Sequence, residues 1–264
     1  MKLHVEADIG GTGPYLLLVH GFLSSRAQWR ANLEGLKTFC RPVVVELWGH
    51  GRSPAPDDPH AYRVGTYIDA FDGIRRDLGA DRWLVCGQSF GAGLTIRYAH
   101  QHSAHVACQI FTNSMSALAA PGERDDEAGR LKRADALERD GLAAIESLPF
   151  HPRFATRFPP GVMGELLDDA ARISPAAIAN AIRYTVPQLS VTDCLGALKV
   201  PTLLINGRWE KPFQPLRTRA AQLLPSLAVV DLDGGHSINI EAAEQFNEAV
   251  ARFVGECSGI IDGK

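Results

Sequence analysis

The chain has 264 residues, 45% hydrophobic and 22% charged, with a formal net charge of −3 at pH 7. These proportions are ordinary for a globular protein, and the near-balanced charge offers no footing to nucleic acid or an anionic membrane surface. No apolar run reaches the roughly 18 residues of a membrane span, so an α/β core with an insertion is the architecture that suits this length.

In chain order, residues 2–9 predict edge strands, followed by the turn Gly10-Gly11-Thr12-Gly13-Pro14. Tyr15–Val19 is continuously apolar, the mark of a strand buried on both faces, and it ends in His20-Gly21-Phe22-Leu23. A helix is expected over Arg26–Thr38, with Trp29, Leu33 and Leu36 on one side. Pro42–Leu47 predicts the next buried strand, and the glycine-spaced turn Trp48-Gly49-His50-Gly51-Arg52-Ser53 follows it. A proline-rich loop leads to a helix over Val64–Leu78, then a short strand at Arg82–Cys86. A helix over Ala92–His100 and a strand over Val106–Thr112 complete the first half.

The alternation then pauses. From 116 to 190 there is helical periodicity and charge but no convincing strand. The stretch Glu123–Asp140 is highly charged, and Pro159-Pro160 and Pro187 punctuate the pattern. This segment reads as an inserted helical cap, with 1–115 and 191–264 as the core. Alternation resumes with a strand at Val200–Asn206, a helix at Gln214–Leu224, a strand at Leu227–Leu232 and a helix over Ile240–Glu256. Strands alternating with helices imply a mainly parallel sheet covered on both faces. Ligands in such sheets bind beyond the carboxyl ends of the strands.

The chemistry is concentrated at Gly87-Gln88-Ser89-Phe90-Gly91, a G-x-S-x-G between a predicted strand and a predicted helix. That context is what a nucleophile elbow requires. Gly87 and Gly91 leave room where strand and helix nearly touch. Ser89 would then stand at a helix N-terminus, among N–H groups suited to a developing negative charge. A serine needs a base. Among nine histidines, His236, in Asp233-Gly234-Gly235-His236-Ser237, follows the last strand at the same edge as Ser89. His20 opens a turn, where a histidine more often braces the loop. The backbone N–H of Phe22 in that turn and that of Phe90 are the expected oxyanion donors. His100, His102 and His105 close the helix after Ser89 and lack a partner at metal-ligand spacing, so no metal is expected. The acid that orients the base should follow a strand between Ser89 and His236, and Glu210 does. Asp193 lies at the wrong edge, Asp231 and Asp233 are rivals close to His236, and Asn113 removes the other acid position. His20, Trp48 and Trp209, with Phe22 and Phe90, are candidates for an apolar substrate pocket.

With these residues in place the chain resembles α/β-hydrolase-fold proteins over nearly everything outside the cap. The resemblance rests on His20-Gly21-Phe22, Gly49-His50-Gly51-Arg52-Ser53, the Ser89 elbow, Gly207–Glu210 and Gly235-His236, in the family's order. It implies a nucleophile at Ser89, a base at His236, an acid at Glu210 and no cofactor. Two positions depart from the family's pattern: the acid is usually aspartate, and Glu46 stands where aspartate is common. The leading expectation is a serine hydrolase of a small, largely apolar ester, thioester or lactone. The alternatives are a lyase similar to those of menaquinone synthesis, for which carboxylate-gripping arginines would be expected, and a receptor that keeps the pocket. The opening Met1–Glu6 has no signal-peptide core. The five cysteines, odd in number and without a C-x-x-C pair, include Cys86 and Cys108 in apolar runs. These are expected to be buried thiols, and the expected location is the cytoplasm.

Overall fold

The computed structural model describes residues 1–7, 9–123 and 126–257. Asp8 of the expected edge strands, residues 124 and 125 of the charged stretch, and residues 258–264 of the core lie outside the described residues.

Seven strands build one sheet: β1 His4–Glu6, β2 Tyr15–Val19, β3 Arg41–Glu46, β4 Trp83–Gly87, β5 Val106–Thr112, β6 Thr202–Gly207 and β7 Ala228–Leu232. Their order is β1-β3-β2-β4-β5-β6-β7. Among the described residues only the edge strand β1 pairs antiparallel; the other pairings are parallel. The longer helices are α1 Val64–Asp77, α2 Phe90–Gln101, α3 Glu127–Asp140, α4 Pro160–Ala170, α5 Gln214–Leu223 and α6 Ala243–Glu256.

The central strands are continuously apolar because each face meets a helical layer. Leu17, Val19, Val43, Val45, Val85 and Phe111 pack with Tyr67, Ile68 and Phe71 of α1, Leu94 and Tyr98 of α2, and Leu216 of α5. Their neighbours Leu16, Leu18, Val44, Leu84, Cys86 and Ile110 point the other way, onto Trp29, Leu36 and Phe246, Val250 and Phe253 of α6. This is period-two alternation in which both sets are buried. All five cysteines are buried with free thiols.

Two expected helices are broken. In place of one helix over Arg26–Thr38 there is a 3-10 turn, Arg26–Trp29, and a short helix, Leu33–Leu36. The final helix is interrupted between Ile238–Glu241 and α6. The cause is shared. Asn239, fully buried, accepts from Gln28 Nε2 at 2.9 Å and donates to Gln28 O at 2.7 Å, while Asn32 Nδ2 donates to Asn239 O at 2.9 Å. These ties join segments about 210 residues apart, so the breaks answer to tertiary partners rather than to local propensity.

Between β5 and β6 the described residues form helices and turns without a strand. Besides α3 and α4 there are short helices at Met115–Leu118 and Leu142–Glu146, and Pro175–Asn180 runs straight into a π-turn, Ala181–Thr185. Ala134, Leu137, Ile145, Ile173, Ile178 and Ile182 cluster with Leu23, which follows the His20 turn with φ +56°. α4 seats Val162 and Leu166 against Ala27 and Ile240, and Ser25 Oγ donates to Asp169 Oδ2 at 2.6 Å. The helical segment thereby rests on the two loops that flank the carboxyl edge of the sheet.

Candidate active site

β4 ends and α2 begins around Ser89, whose φ of +52° and ψ of −113° are strained for a residue with a side chain. The strain is held by close packing. A Cβ on Gly87 would lie 2.4 Å from Gly91 O, and one on Gly91 would lie 2.4 Å from Val19 O. Only glycine lets the strand, the helix and β2 approach so closely.

His236 reaches the same point from the loop after β7. Its Nε2 lies 2.8 Å from Ser89 Oγ, and its Nδ1 lies 3.0 Å from both carboxylate oxygens of Glu210. The loops carrying base and acid are joined backbone to backbone: Arg208 N–H donates to Leu232 O at 3.1 Å and Trp209 N–H to Gly234 O at 2.9 Å. Gly235 N–H donates to Glu241 Oε2 at 2.9 Å, and Gln88 Nε2 to His236 O at 3.4 Å. Asn113, fully buried at the end of β5, holds the acid loop from beneath. Its Oδ1 accepts from Gly207 N–H at 2.9 Å, and its Nδ2 donates to Gly207 O at 2.9 Å and Glu210 Oε2 at 2.8 Å.

The rival acids are engaged elsewhere. Asp231 pairs with Arg217 and accepts from Asn206. Asp233 pairs with Arg208 and accepts from Trp209 Nε1. Asp193 pairs with Arg97.

A cavity of about 840 Å³ opens over Ser89, His236 and Glu210. Phe22 and Phe90 line it, with Met115, Leu148, Phe150, Phe154, Phe158 and Leu166 of the helical segment. Arg130, Arg133 and Arg157 also reach its wall. His20, Trp48 and Trp209 do not line the cavity, which corrects their assignment to the pocket. His20 is fully buried; its Nδ1–H donates to Gly21 O at 2.7 Å and its Nε2 accepts from Leu47 N–H at 3.1 Å. Burial and the neighbouring His50 push its pKa down to about 3, so it stays neutral as a brace for the turn. Trp48 is buried against Tyr67. Trp209 is half-exposed, with the Arg157 guanidinium 5.4 Å from its ring centroid. Glu46 serves loop structure. Its carboxylate accepts from the backbone N–H of Arg52 at 2.8 Å and of Arg26 at 3.3 Å.

Asn113, Gln88 and the pair Arg157–Glu241 were missed as site residues by sequence reasoning. For Asn113 the available signal was a polar residue ending an apolar strand at the carboxyl edge. Arg157 carried none, because nothing local shows that it reaches across to Glu241. Among the described residues no group of three or more His, Cys, Asp and Glu side chains could hold a metal ion. His102 stacks on Tyr98 and His105 Nδ1 bonds to Asp81 O. Among the described residues, no helix is long and apolar enough to cross a membrane.

Residues 14–243 match the family model described as alpha/beta hydrolase fold. A protein of Bacillus subtilis (strain 168) named "Putative 2-succinyl-6-hydroxy-2,4-cyclohexadiene-1-carboxylate synthase" is 24% identical over 247 residues, which is 90% of this chain and 89% of its own. A second from the same organism, "Uncharacterized carboxylesterase nap", is 25% identical over 98% of this chain and 85% of its own. The crystal structure of the enol-lactonase from Burkholderia xenovorans LB400 superposes with a TM-score of 0.79 at 20% identity, covering 96% of this chain and 95% of that one. The seven-stranded sheet, the strained serine turn and the match over residues 14–243 lead to one conclusion: the chain belongs to the alpha/beta hydrolase fold family.

Proposed function

We propose that this protein is a serine hydrolase cleaving a small ester, thioester or lactone through an acyl-enzyme. Ser89 is the nucleophile, His236 the base and Glu210 the acid that orients the base. The observation that carries this reading is the unbroken chain Ser89 Oγ–His236 Nε2 at 2.8 Å and His236 Nδ1–Glu210 at 3.0 Å, on the floor of a largely apolar cavity. As Ser89 Oγ bonds to the substrate carbonyl carbon, His236 Nε2 takes its proton and Glu210 supports the imidazolium. The carbonyl oxygen gains the negative charge, and the backbone N–H groups of Phe22 and Phe90 receive it. Collapse expels the alcohol or thiol, which takes the proton from His236. Water then repeats the sequence on the acyl-enzyme and restores the serine. No cofactor enters the scheme. Residues 116–190 act as the cap that selects the substrate over a core of 1–115 and 191–264, in a cytoplasmic protein.

A fluorophosphonate that reacts with activated serines should label the wild type at Ser89 and leave Ser89→Ala unlabelled. The variant should also lose ester turnover on the order of 10⁴-fold or more. A folded variant that keeps a tenth of the activity ends the covalent reading. A second reading, a lyase, gains from Arg130 and Arg133 among the cavity-lining residues, since a guanidinium is the side chain that grips a substrate carboxylate; Arg157, also on the wall, is paired with Glu241. There His236 would remove a C–H proton, the two N–H groups would hold the enolate, and collapse of the enolate would expel a β-leaving group that takes the proton from His236, with no bond to Ser89. Trapping an acyl-enzyme by mass spectrometry during turnover separates the two.

A further inference from the structure

We infer that the cavity is built for a substrate carrying an aromatic ring, and that Phe150 of the helical segment is the residue that selects for it. The inference rests on the hydrolase reading for its chemistry, but its geometry is separate. Phe22 and Phe90, whose backbone N–H groups are the proposed oxyanion donors, have ring centroids 5.2 Å apart and planes tilted by 32°. Phe22 is backed by the ring of buried His50 at 6.2 Å, and Phe150 stands 5.8 Å from it on the cavity side, its plane tilted by 53°. All three phenylalanines line the cavity. They form a continuous aromatic wall from the reacting carbonyl outward.

Phe90 is buried and Phe22 half-buried, whereas Phe150 is 51% exposed. A ring open to water forgoes the gain of burial, which a ligand seated on it would supply. Here the open ring lines a cavity about 840 Å³ in volume beside the nucleophile, ample for a substrate ring. Phe154 and Phe158 line the same cavity from the same stretch of chain. A substrate ring seated against Phe150 and Phe22 extends the tilted and edge-on ring contacts already present. Each such pair adds roughly two- to ten-fold beyond what the same apolar area gains by burial. A saturated ring of equal carbon count gains the burial and not the ring–ring term. The wall therefore discriminates between phenyl and cyclohexyl, which hydrophobicity alone does not.

The test measures kcat/KM by pH-stat for methyl 3-phenylpropanoate against methyl 3-cyclohexylpropanoate, and for benzyl acetate against cyclohexylmethyl acetate, with methyl acetate as a probe of the chemistry alone. At least one phenyl substrate should exceed its cyclohexyl counterpart by about ten-fold in the wild type. Phe150→Leu keeps apolar bulk and should lower that ratio three-fold or more; Phe150→Tyr keeps the ring and should preserve it. Ratios at or below one in both pairs overturn the inference, as does a ratio unchanged in Phe150→Leu. Binding of the two methyl esters to Ser89→Ala, followed by titration, reports the same discrimination without turnover. Failure of every ester to be cleaved, with the binding ratio preserved, overturns the hydrolase reading alone. Equal binding of the two overturns the aromatic site.

Discussion

Asn113 offers the most stringent test of how the site is held. Asn113→Ala removes three hydrogen bonds of 2.8–2.9 Å: two to the backbone of Gly207, which is itself buried, and one to Glu210. Gly207 O keeps Glu210 N–H and Gln214 Nε2 as donors, each at 3.3 Å, but the buried Gly207 N–H loses its partner, which costs about 1–3 kcal/mol. That is an appreciable share of the roughly 5–15 kcal/mol by which domains are stable. The bond to the Glu210 carboxylate is charge-assisted and worth about 1.5–3 kcal/mol. If a similar amount is lost in the transition state, turnover should fall about ten- to hundred-fold. Asn113→Asp keeps the acceptor for Gly207 N–H but turns the donor towards Gly207 O and Glu210 into another acceptor. The introduced carboxylate is stable there only when protonated, since the Glu210 charge raises its pKa. With a raised folded pKa, the stability it contributes is full at low pH and lost as pH rises, so the deficit against wild type should be larger at pH 8 than at pH 5. Urea unfolding at both pH values and kcat on methyl acetate measure the two effects. An Asn113→Ala protein within about 0.5 kcal/mol of wild type and equally active would refute the argument.

Glu210→Gln should lower kcat roughly 10³- to 10⁴-fold with little change in substrate binding, because the base loses the charge that favours its imidazolium form. Asp231→Asn and Asp233→Asn, whose carboxylates face Arg217 and Arg208, should stay within a few-fold of wild type; a larger loss from either than from Glu210→Gln, in folded proteins, transfers the acid role. The buried, neighbouring His20 and His50, 5.1 Å apart, predict acid sensitivity. Burial first, and for His20 the proximity of His50, depress their folded pKa values to about 3 and about 4 from the ordinary 6.5. The unfolded chain therefore binds more protons below pH 6.5. The contribution of each is full above 6.5 and falls with pH by about 1.4 kcal/mol per unit, until the folded pKa is reached. Urea unfolding at pH 7, 6 and 5 should show this slope, and His50→Asn should reduce it by about half; a midpoint constant from pH 7 to 5 would contradict the placement.

Much of this molecule was legible in the sequence because the signals are local. Five apolar runs became strands of the parallel sheet, since a strand covered on both faces has no polar side to show. The elbow was readable for the same reason: Gly87, Ser89 and Gly91 meet a steric requirement within five residues. The ordering of serine, acid and histidine along the chain pointed to Ser89, Glu210 and His236, which the fold brings within hydrogen-bonding distance. What only tertiary structure decided is where each side chain faces. Trp209 adjoins Glu210 in sequence and Trp48 opens the Gly49–Gly51 turn, yet Trp48 turns into the core and Trp209 outward beneath Arg157. Asp231 and Glu210 are both acids near a strand end; Arg217 and Asn206 draw the first away, while Asn113 presents the second to the imidazole. The helix expected over Arg26–Thr38 fails because Gln28 and Asn32 find buried amide partners at Asn239, more than two hundred residues along the chain. Periodicity reports how a segment could bury an apolar face. It carries no record of which distant polar group will be there to satisfy it, and in this protein those distant groups hold the site together.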